Sequence, residues 1–260
     1  MRRIFGQSGG GEAGERTSTP SSGPRGGAGS AAAAETMEAR LGRVFDSLRG
    51  AGSSGSSDPS DSEEASPLGP ERLGALIESL GVNPETDVEA LVVLYKCGAR
   101  SMYELTREEF VRGMMAMGAS SVPELKERLP RVAREVLSTS AEFRPFYQFV
   151  FLCAREGQAR IVPKELAVGL WPIVLKTGDA EPSRARHVDQ FCAWLARTPS
   201  VKQITRDQWN SFLEFNARVN SDFSNFAAEQ SWAPVLFEEF VATVTAGGVP
   251  DKGSGGTRGT

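Results

Sequence analysis

Apolar residues recur along this chain at helical spacing, and no alternating run is long enough to propose a sheet. Met37, Leu41, Val44, Phe45 and Leu48 fall at i, i+4, i+7, i+8 and i+11, which predicts one buried stripe of a first helix. Leu73, Leu76, Ile77 and Leu80 repeat the pattern. Asn83 followed by Pro84 predicts a helix start for the segment carrying Val88, Leu91, Val92 and Tyr95. Thr106 with Glu109, Ser121 with Glu124, and Thr205 with Gln208 have capping-box spacing, in which each side chain satisfies the other residue's orphan amide. Gly118 suits a C-cap. Further helices are predicted near Phe143 to Arg155, Pro163 to Lys176, Arg184 to Ala196, Thr205 to Val219 and Pro234 to Thr245. The fold class is all-α.

Three stretches break the pattern. Gly6 to Ala34 is rich in Gly, Ser, Ala and Pro with almost no large apolar residue, so burial cannot offset its ordering entropy, and residues 1–34 are expected to be a disordered arm. Gly50 to Ser66 has the same character and reads as a long flexible loop inside a domain of residues 35–246. The Gly-rich residues 247–260 read as a loose tail. After Arg2-Arg3 and the pair Ile4-Phe5 the chain continues in Gly, Ser and Glu rather than in an apolar segment, so no targeting signal is expected there.

Composition excludes several classes of function. The 260 residues suffice for one large domain or two small ones. A formal net charge of −4 without any Lys/Arg-rich run argues against a nucleic-acid partner. No apolar run reaches the roughly 18 residues of a membrane-spanning helix, so no membrane partner is expected. Cys97, Cys153 and Cys192 lack CxxC spacing and read as free thiols of a soluble protein in a reducing compartment.

The first half reads helix, loop, helix, helix, loop, helix, with Leu68 and Leu105 where paired EF-hands place their central apolar loop residue. Calcium needs oxygen ligands at loop positions 1, 3, 5 and 12. In the register set by Leu68 these are Asp61, Glu63, Ala65 and Arg72; in that set by Leu105 they are Gly98, Arg100, Met102 and Glu109. Neither loop keeps a ligand set, so no calcium site and no other metal or cofactor is expected. Asp58, Asp61, Glu63 and Glu64 read as a solvated loop. The single histidine, His187, is five residues from Cys192 in one predicted helix, which points the two side chains in different directions. There is no GxSxG elbow and no phosphate-binding GxxxxGK[ST] loop, so the chain offers no active site of its own.

Two long segments carry a resemblance. FYQFVFLCAREGQARIVPKELAVGLWPIVLK, from Phe146, and ITRDQWNSFLEFNARVNSDFSNFAAEQSWAPVLFEEFV, from Ile204, together with EFVRGM from Glu109 and LKERLP from Leu125, closely resemble the PONY (DCUN1) domain of the defective-in-cullin-neddylation family. The resemblance runs from about Glu35 to about Thr245. It implies an EF-hand-like N-terminal half packed with a C-terminal helical half, without calcium. It also implies a scaffold co-ligase of the nucleus and cytoplasm, which helps pass the ubiquitin-like modifier Nedd8 from its conjugating enzyme to a cullin by binding both. Tethering raises effective concentration and restricts orientation, so such a scaffold needs no acid, base or nucleophile.

The family's cullin-facing patch, which holds the winged-helix end of the cullin, maps onto Asp207, Ser231 and Glu238. An extra residue, Ala233, separates Trp232 from Pro234 where the family has the two adjacent, so Glu239 competes with Glu238 for the last place. The family's groove for the acetylated N-terminus of the conjugating enzyme maps onto Leu73, Ile77, Val93, Leu94, Cys97, Leu105, Cys153 and Ile173. Plainer readings exist for each. Asp207 in a first helical turn would favour the helix dipole, Glu238 and Glu239 would be a solvated face, and Trp209 and Trp232 would be core anchors. Every groove position also suits a packed helical core. A different class of function, an EF-hand-derived adaptor or calcium-responsive module without cullin binding, is the reading that Ser231 and Ala233 would favour.

Overall fold

The computed structural model describes residues 36–50, 66–155, 157, 159–177 and 182–246, all within one compact unit that spans Thr36–Thr260. The expectations for the arm 1–34, for residues 51–65 of the loop and for the tail 247–260 lie outside the described residues. The described part is helical: α1 (Met37–Gly50), α2 (Pro70–Ser79), α3 (Val88–Cys97), α4 (Arg107–Ala116), α5 (Val122–Ser138), α6 (Ser140–Ala154), α7 (Lys164–Leu175), α8 (Val188–Ala196), α9 (Arg206–Arg218), α10 (Phe226–Glu229) and α11 (Val235–Ala246).

One local device starts four of these helices. Leu68 and Leu105 exchange both backbone hydrogen bonds, at 2.8 and 3.0 Å, as an isolated antiparallel bridge. In the second half β1 (Ile161–Pro163) pairs antiparallel with β2 (Gln203–Thr205), setting Val162 opposite Ile204. In each case the next helix begins two residues after the paired apolar residue, and all four of those residues are fully buried. The pairing satisfies backbone groups just before a helix entry, where an unpaired buried amide would cost about 1–3 kcal/mol. The EF-hand-like arrangement expected of the first half is therefore repeated in the second. Strands of three residues are too short to announce themselves by alternation, which is why the sequence predicts no sheet.

Several helix ends differ from expectation. Asn83 does not cap α3; its backbone amide donates to Asp87 Oδ2 at 2.8 Å and its Oδ1 accepts from Glu85 at 2.9 Å, forming a tight turn before Val88. At α5 the Ser121 hydroxyl accepts from the Glu124 amide, but Glu124 returns to the amide and hydroxyl of Ser120 instead of closing a box on Ser121. The segment from Arg184 opens as a 3-10 turn, Pro182–Ala185, and α8 begins only at Val188. The boxes at Thr106–Glu109 and Thr205–Gln208 close as expected. Gly118 follows α4 with φ of 69°, the left-handed conformation that suits glycine there.

The two halves are filled differently. In the first, α3 and α4 approach so closely at Gly113 that a Cβ there would stand 2.1 Å from Cys97 Sγ and 2.8 Å from its Cα. The surrounding core is mainly aliphatic, with Phe45 against Phe110 at 5.6 Å. In the second half Trp171 stacks on Trp209 at 5.2 Å, and the Tyr147 hydroxyl donates to the Trp209 carbonyl at 2.7 Å while accepting from Trp171 Nε1 at 2.9 Å. Phe191, Phe212, Phe215, Phe237 and Phe240 complete this aromatic core, and through the last two it anchors α11 to α8 and α9.

Candidate functional site

Two surfaces in this frame have unpartnered chemistry. The first lies along α9 and the start of α11. Thr205 caps α9, so Asp207 stands in its first turn, exposed, with no ion pair among the described residues. The dipole of α9 favours a carboxylate there regardless of any partner. Asp207, Ser211, Glu214 and Arg218 follow one another at i, i+4, i+7 and i+11, forming an outer stripe opposite buried Trp209, Phe212 and Phe215.

The lower end of that stripe is tied to the turn holding Ser231. Arg218 Nη1 reaches Glu229 Oε2 at 3.3 Å, and the Trp232 indole donates to the same oxygen at 2.7 Å. The Arg218 guanidinium also lies 5.6 Å from the Trp232 ring centre. Hydrogen bonds from Trp232 and then Arg218 hold the Glu229 carboxyl below the usual range. Trp232 is thus a half-buried strut rather than a fully buried anchor, unlike Trp209. Ser231 sits exposed beside it, while Asp207 stands eleven residues back along the helix, about 16 Å away at 1.5 Å per residue from the Arg218 end.

Ala233 is half-buried between this turn and α11, whose inner face is Leu236, Phe237, Phe240 and Val241. The outer face therefore carries Val235, 66% exposed, and Glu239 four residues on; Glu238 lies at the boundary and is half-buried. Sequence reading missed Glu229 and Arg218, although the three-residue spacing from Glu229 to Trp232 is the signal that would have found the first.

The second surface is an apolar cavity of about 350 Å³ between the 84–87 turn, the start of α3, Met102–Tyr103 and α7. Leu91, Leu170 and Ile173 are among its lining, and Tyr103, 55% exposed, stands at the mouth. Of the eight positions mapped to the conjugating-enzyme groove, only Ile173 lines it. Leu73, Ile77, Val93, Leu94, Cys97, Leu105 and Cys153 are buried in the hydrophobic core and do not line it.

The reactive residue types are otherwise engaged. His187 is 1% exposed; its Nε2 lies 3.0 Å from the Val219 carbonyl and its ring stacks on Phe223, while Cys192 packs toward the Val168 carbonyl. Burial lowers the His187 pKa and pushes the thiols up, Cys97 and Cys153 to about 12 and Cys192 to about 11, so thiolate is scarce at neutral pH. Among the described residues no group of three His, Cys, Asp or Glu side chains could hold a metal ion, and no helix is long and apolar enough to cross a membrane. In the second loop Glu109 is buried and its carboxylate accepts from the Thr106 amide, while Met102 lines the cavity. Asp61, Glu63 and Ala65 of the first loop lie outside the described residues.

Residues 124–243, which include α9 and α11 as far as Thr243, match the protein family described as Cullin binding. The chain is 34% identical over 175 residues to DCN1-like protein 3 of Homo sapiens, covering 66% of this chain and 55% of that protein. Against DCN1-like protein 3 of Xenopus tropicalis the identity is 33%, with the same coverage. DCN1-like protein 4 of Danio rerio is 33% identical over 175 residues, covering 67% and 59%. The matched stretch thus spans little more than half of each relative. The helical frame, the family domain laid over its second half and these relatives agree, and the chain belongs to the defective-in-cullin-neddylation (DCN1-like) family.

Proposed function

We propose that residues 35–246 form a PONY domain that promotes transfer of Nedd8 from its conjugating enzyme to a cullin by holding both, in the nucleus and cytoplasm, with no catalytic residue of its own. The observation that carries the reading is the match to the Cullin binding family over a face on which Asp207, Ser231 and Glu239 are exposed without internal ion-pair partners. The winged-helix end of the cullin docks on this face. A cullin cation meets Asp207, and Glu239, sharing its helix face with exposed Val235, supplies the second carboxylate in preference to half-buried Glu238. The acetylated N-terminus of the conjugating enzyme enters the cavity beside Ile173. The other seven mapped groove residues are core residues and do not meet the guest directly.

Removing a charge whose partner is desolvated costs about 2–5 kcal/mol, much of it from the charge left unpaired. Asp207→Ala should therefore weaken binding of a cullin C-terminal domain by about that amount in calorimetric titration, and Asp207→Arg should weaken it further by like-charge repulsion. The rate of Nedd8 transfer in a purified system should fall in parallel, with the unfolding midpoint nearly unchanged. Glu239→Ala should cost more than Glu238→Ala. If Asp207→Arg binds cullin and stimulates transfer as wild type does, the assignment of this face is wrong. Ala233, lodged between Trp232 and α11, favours the alternative of an adaptor that keeps the fold without binding cullin; a pull-down with the wild-type chain that captures no cullin would select that alternative.

A further inference from the structure

Each helix-starting bridge is framed by the positions two residues to either side of its paired apolar residues. Around Leu68 and Leu105 these are Ser66, Pro70, Tyr103 and Arg107; around Val162 and Ile204 they are Arg160, Lys164, Lys202 and Arg206. The single cation of the first frame is used within the fold: Arg107 reaches Asp46 at 3.5 Å and packs so closely on α1 that a Cβ at Gly42 would collide with its guanidinium. The second frame is cationic at every position. Lys164 is buried, donating to the Thr198 carbonyl at 3.1 Å and standing 3.9 Å from Glu165. Arg160, Lys202 and Arg206 are exposed, and none of them has an ion-pair partner among the described residues. Elsewhere in this half Arg144, Lys176 and Arg218 reach Glu214, Asp189 and Glu229. The ladder also fixes the spacing. Ile161 and Thr205 form its last pair, so Arg160 and Arg206 leave it side by side, while at the other end the Lys164 amide donates to the Lys202 carbonyl at 3.0 Å. At about 3.3 Å per residue the Lys202 backbone stands roughly 13 Å from the Arg160–Arg206 end. Like charges facing one another across a ladder destabilise it, yet this chain of formal net charge −4 sets no carboxylate against these three.

We propose that this frame docks an acidic segment of a polypeptide, with one carboxylate between Arg160 and Arg206 and another at Lys202, about four extended residues further on. A polypeptide fits better than a nucleic acid or an anionic membrane because exposed Asp207 and Glu165 border the three cations. A uniformly anionic partner would meet those acids as well, whereas a polypeptide can place its carboxylates opposite the cations alone. Contacts open to water are individually weak and sensitive to salt, so the frame sets preference and approach more than total affinity. The proposal stands whether or not Asp207 meets a cullin.

The test uses the full chain and three fluorescent N-acetylated peptides of equal length whose two ionic positions, four residues apart, are both Glu, both Gln or both Lys. Anisotropy at low salt should rank Glu tightest by about tenfold over Gln, the sum of a few exposed pairs, with Lys weakest. The gap should close in about 0.5 M salt, where screening is nearly complete within a few ångströms. The triple variant Arg160→Gln, Lys202→Gln and Arg206→Gln should bind the Glu and Gln peptides alike, with an unfolding midpoint no lower than wild type because the repulsion across the ladder goes with the charges. Equal binding of the Glu and Gln peptides by wild type at low salt, or a Glu preference that survives in the triple variant, overturns the proposal. So does a lowered midpoint of the triple variant, which would tie the cations to the fold instead. Tighter binding of a short DNA duplex or a phosphatidylserine vesicle through the same three residues overturns it too, replacing the polypeptide by a polyanion. Asp207→Arg separates this from the cullin reading: it should tighten the Glu peptide by adding a cation beside Arg206, whereas it should weaken cullin. A Glu peptide held less tightly by Asp207→Arg than by wild type counts against the frame alone.

Discussion

The two halves of the domain start their helices with the same bridge and differ in what they pack behind it. Behind Val162–Ile204 lie interlocked aromatic rings; behind Leu68–Leu105 lie branched aliphatics, methionines and two thiols. Stacked rings with hydrogen-bonded edges have few alternative packings. That half carries the charged α9–α11 face, where side chains need fixed positions. The aliphatic half meets α7 across an open cavity lined by Leu91, Leu170 and Ile173. A shared backbone device does not dictate a shared core.

The largest test of this contrast is Trp209→Ala. Truncating a fully buried large aromatic costs about 3–5 kcal/mol, and here it also removes a bond from Nε1 to the Tyr147 carbonyl. Denaturant melts should show this loss, with the α9–α11 face disordered in amide exchange. An aliphatic truncation in the other half, Val92→Ala, removes less buried surface and should cost less. Equal losses would refute the idea that the aromatic core is the more sharply specified.

Tyr147→Phe probes the ring edges alone. It keeps the stack at 5.0 Å on Trp209 but leaves the Trp171 indole N–H and the Trp209 carbonyl each without that hydroxyl. A buried group left unsatisfied costs about 1–3 kcal/mol. The expected result is a lower unfolding midpoint with an unchanged denaturant slope.

Much of the frame was legible because it is periodic. The stripes at Leu41–Leu48 and Leu73–Leu80 and the boxes at Thr106 and Thr205 are local patterns, and the fold keeps them. Asn83 misled because an Asx side chain satisfies a nearby turn amide as readily as a helix amide, and at α5 Ser121 caps as expected while the Glu124 carboxylate turns to Ser120 instead of closing the box. Asp207 was singled out through its neighbours in the resemblance, and the fold leaves it exposed in the first turn of α9. The cavity was not: Leu91 and Leu170 are ordinary apolar residues of α3 and α7, Tyr103 lies in the loop before α4, and nothing in a period of 3.6 marks which apolar residue borders empty space.

His187 sharpens the comparison by pH. It is the only histidine and lies in the aromatic half, between Phe215 and Phe223, so titration between about pH 5.5 and 7.5 reports on that half. Burial depresses its folded pKa below the unfolded value, so the unfolded chain binds the proton first. The stabilisation is therefore present above the unfolded pKa and is lost as pH falls toward the folded one, with a slope of at most about 1.4 kcal/mol per pH unit. Urea melts across this window should show stability falling with pH, and His187→Asn should flatten the trend. A flat wild-type profile would mean that the ring is not sealed by its aromatic neighbours.

The smallest expected effect compares the two closed capping boxes. Thr106 and Thr205 make the same pair of bonds, yet Glu109 is buried in the first turn of α4 whereas the bonds of Gln208 are exposed to solvent. Replacing a Thr cap by Ala costs about 0.5–2 kcal/mol, and the orphaned amide's access to water decides where in that range a site falls. At Thr205 water can take over the Gln208 amide, so Thr205→Ala should sit near the lower bound. At Thr106 it reaches the Glu109 amide poorly because Glu109 is buried, so Thr106→Ala should sit near the upper bound. Paired urea melts measure the difference directly. If Thr205→Ala proves the costlier change, the β1–β2 junction, not the Leu68–Leu105 bridge, is the helix entry that depends more on its cap.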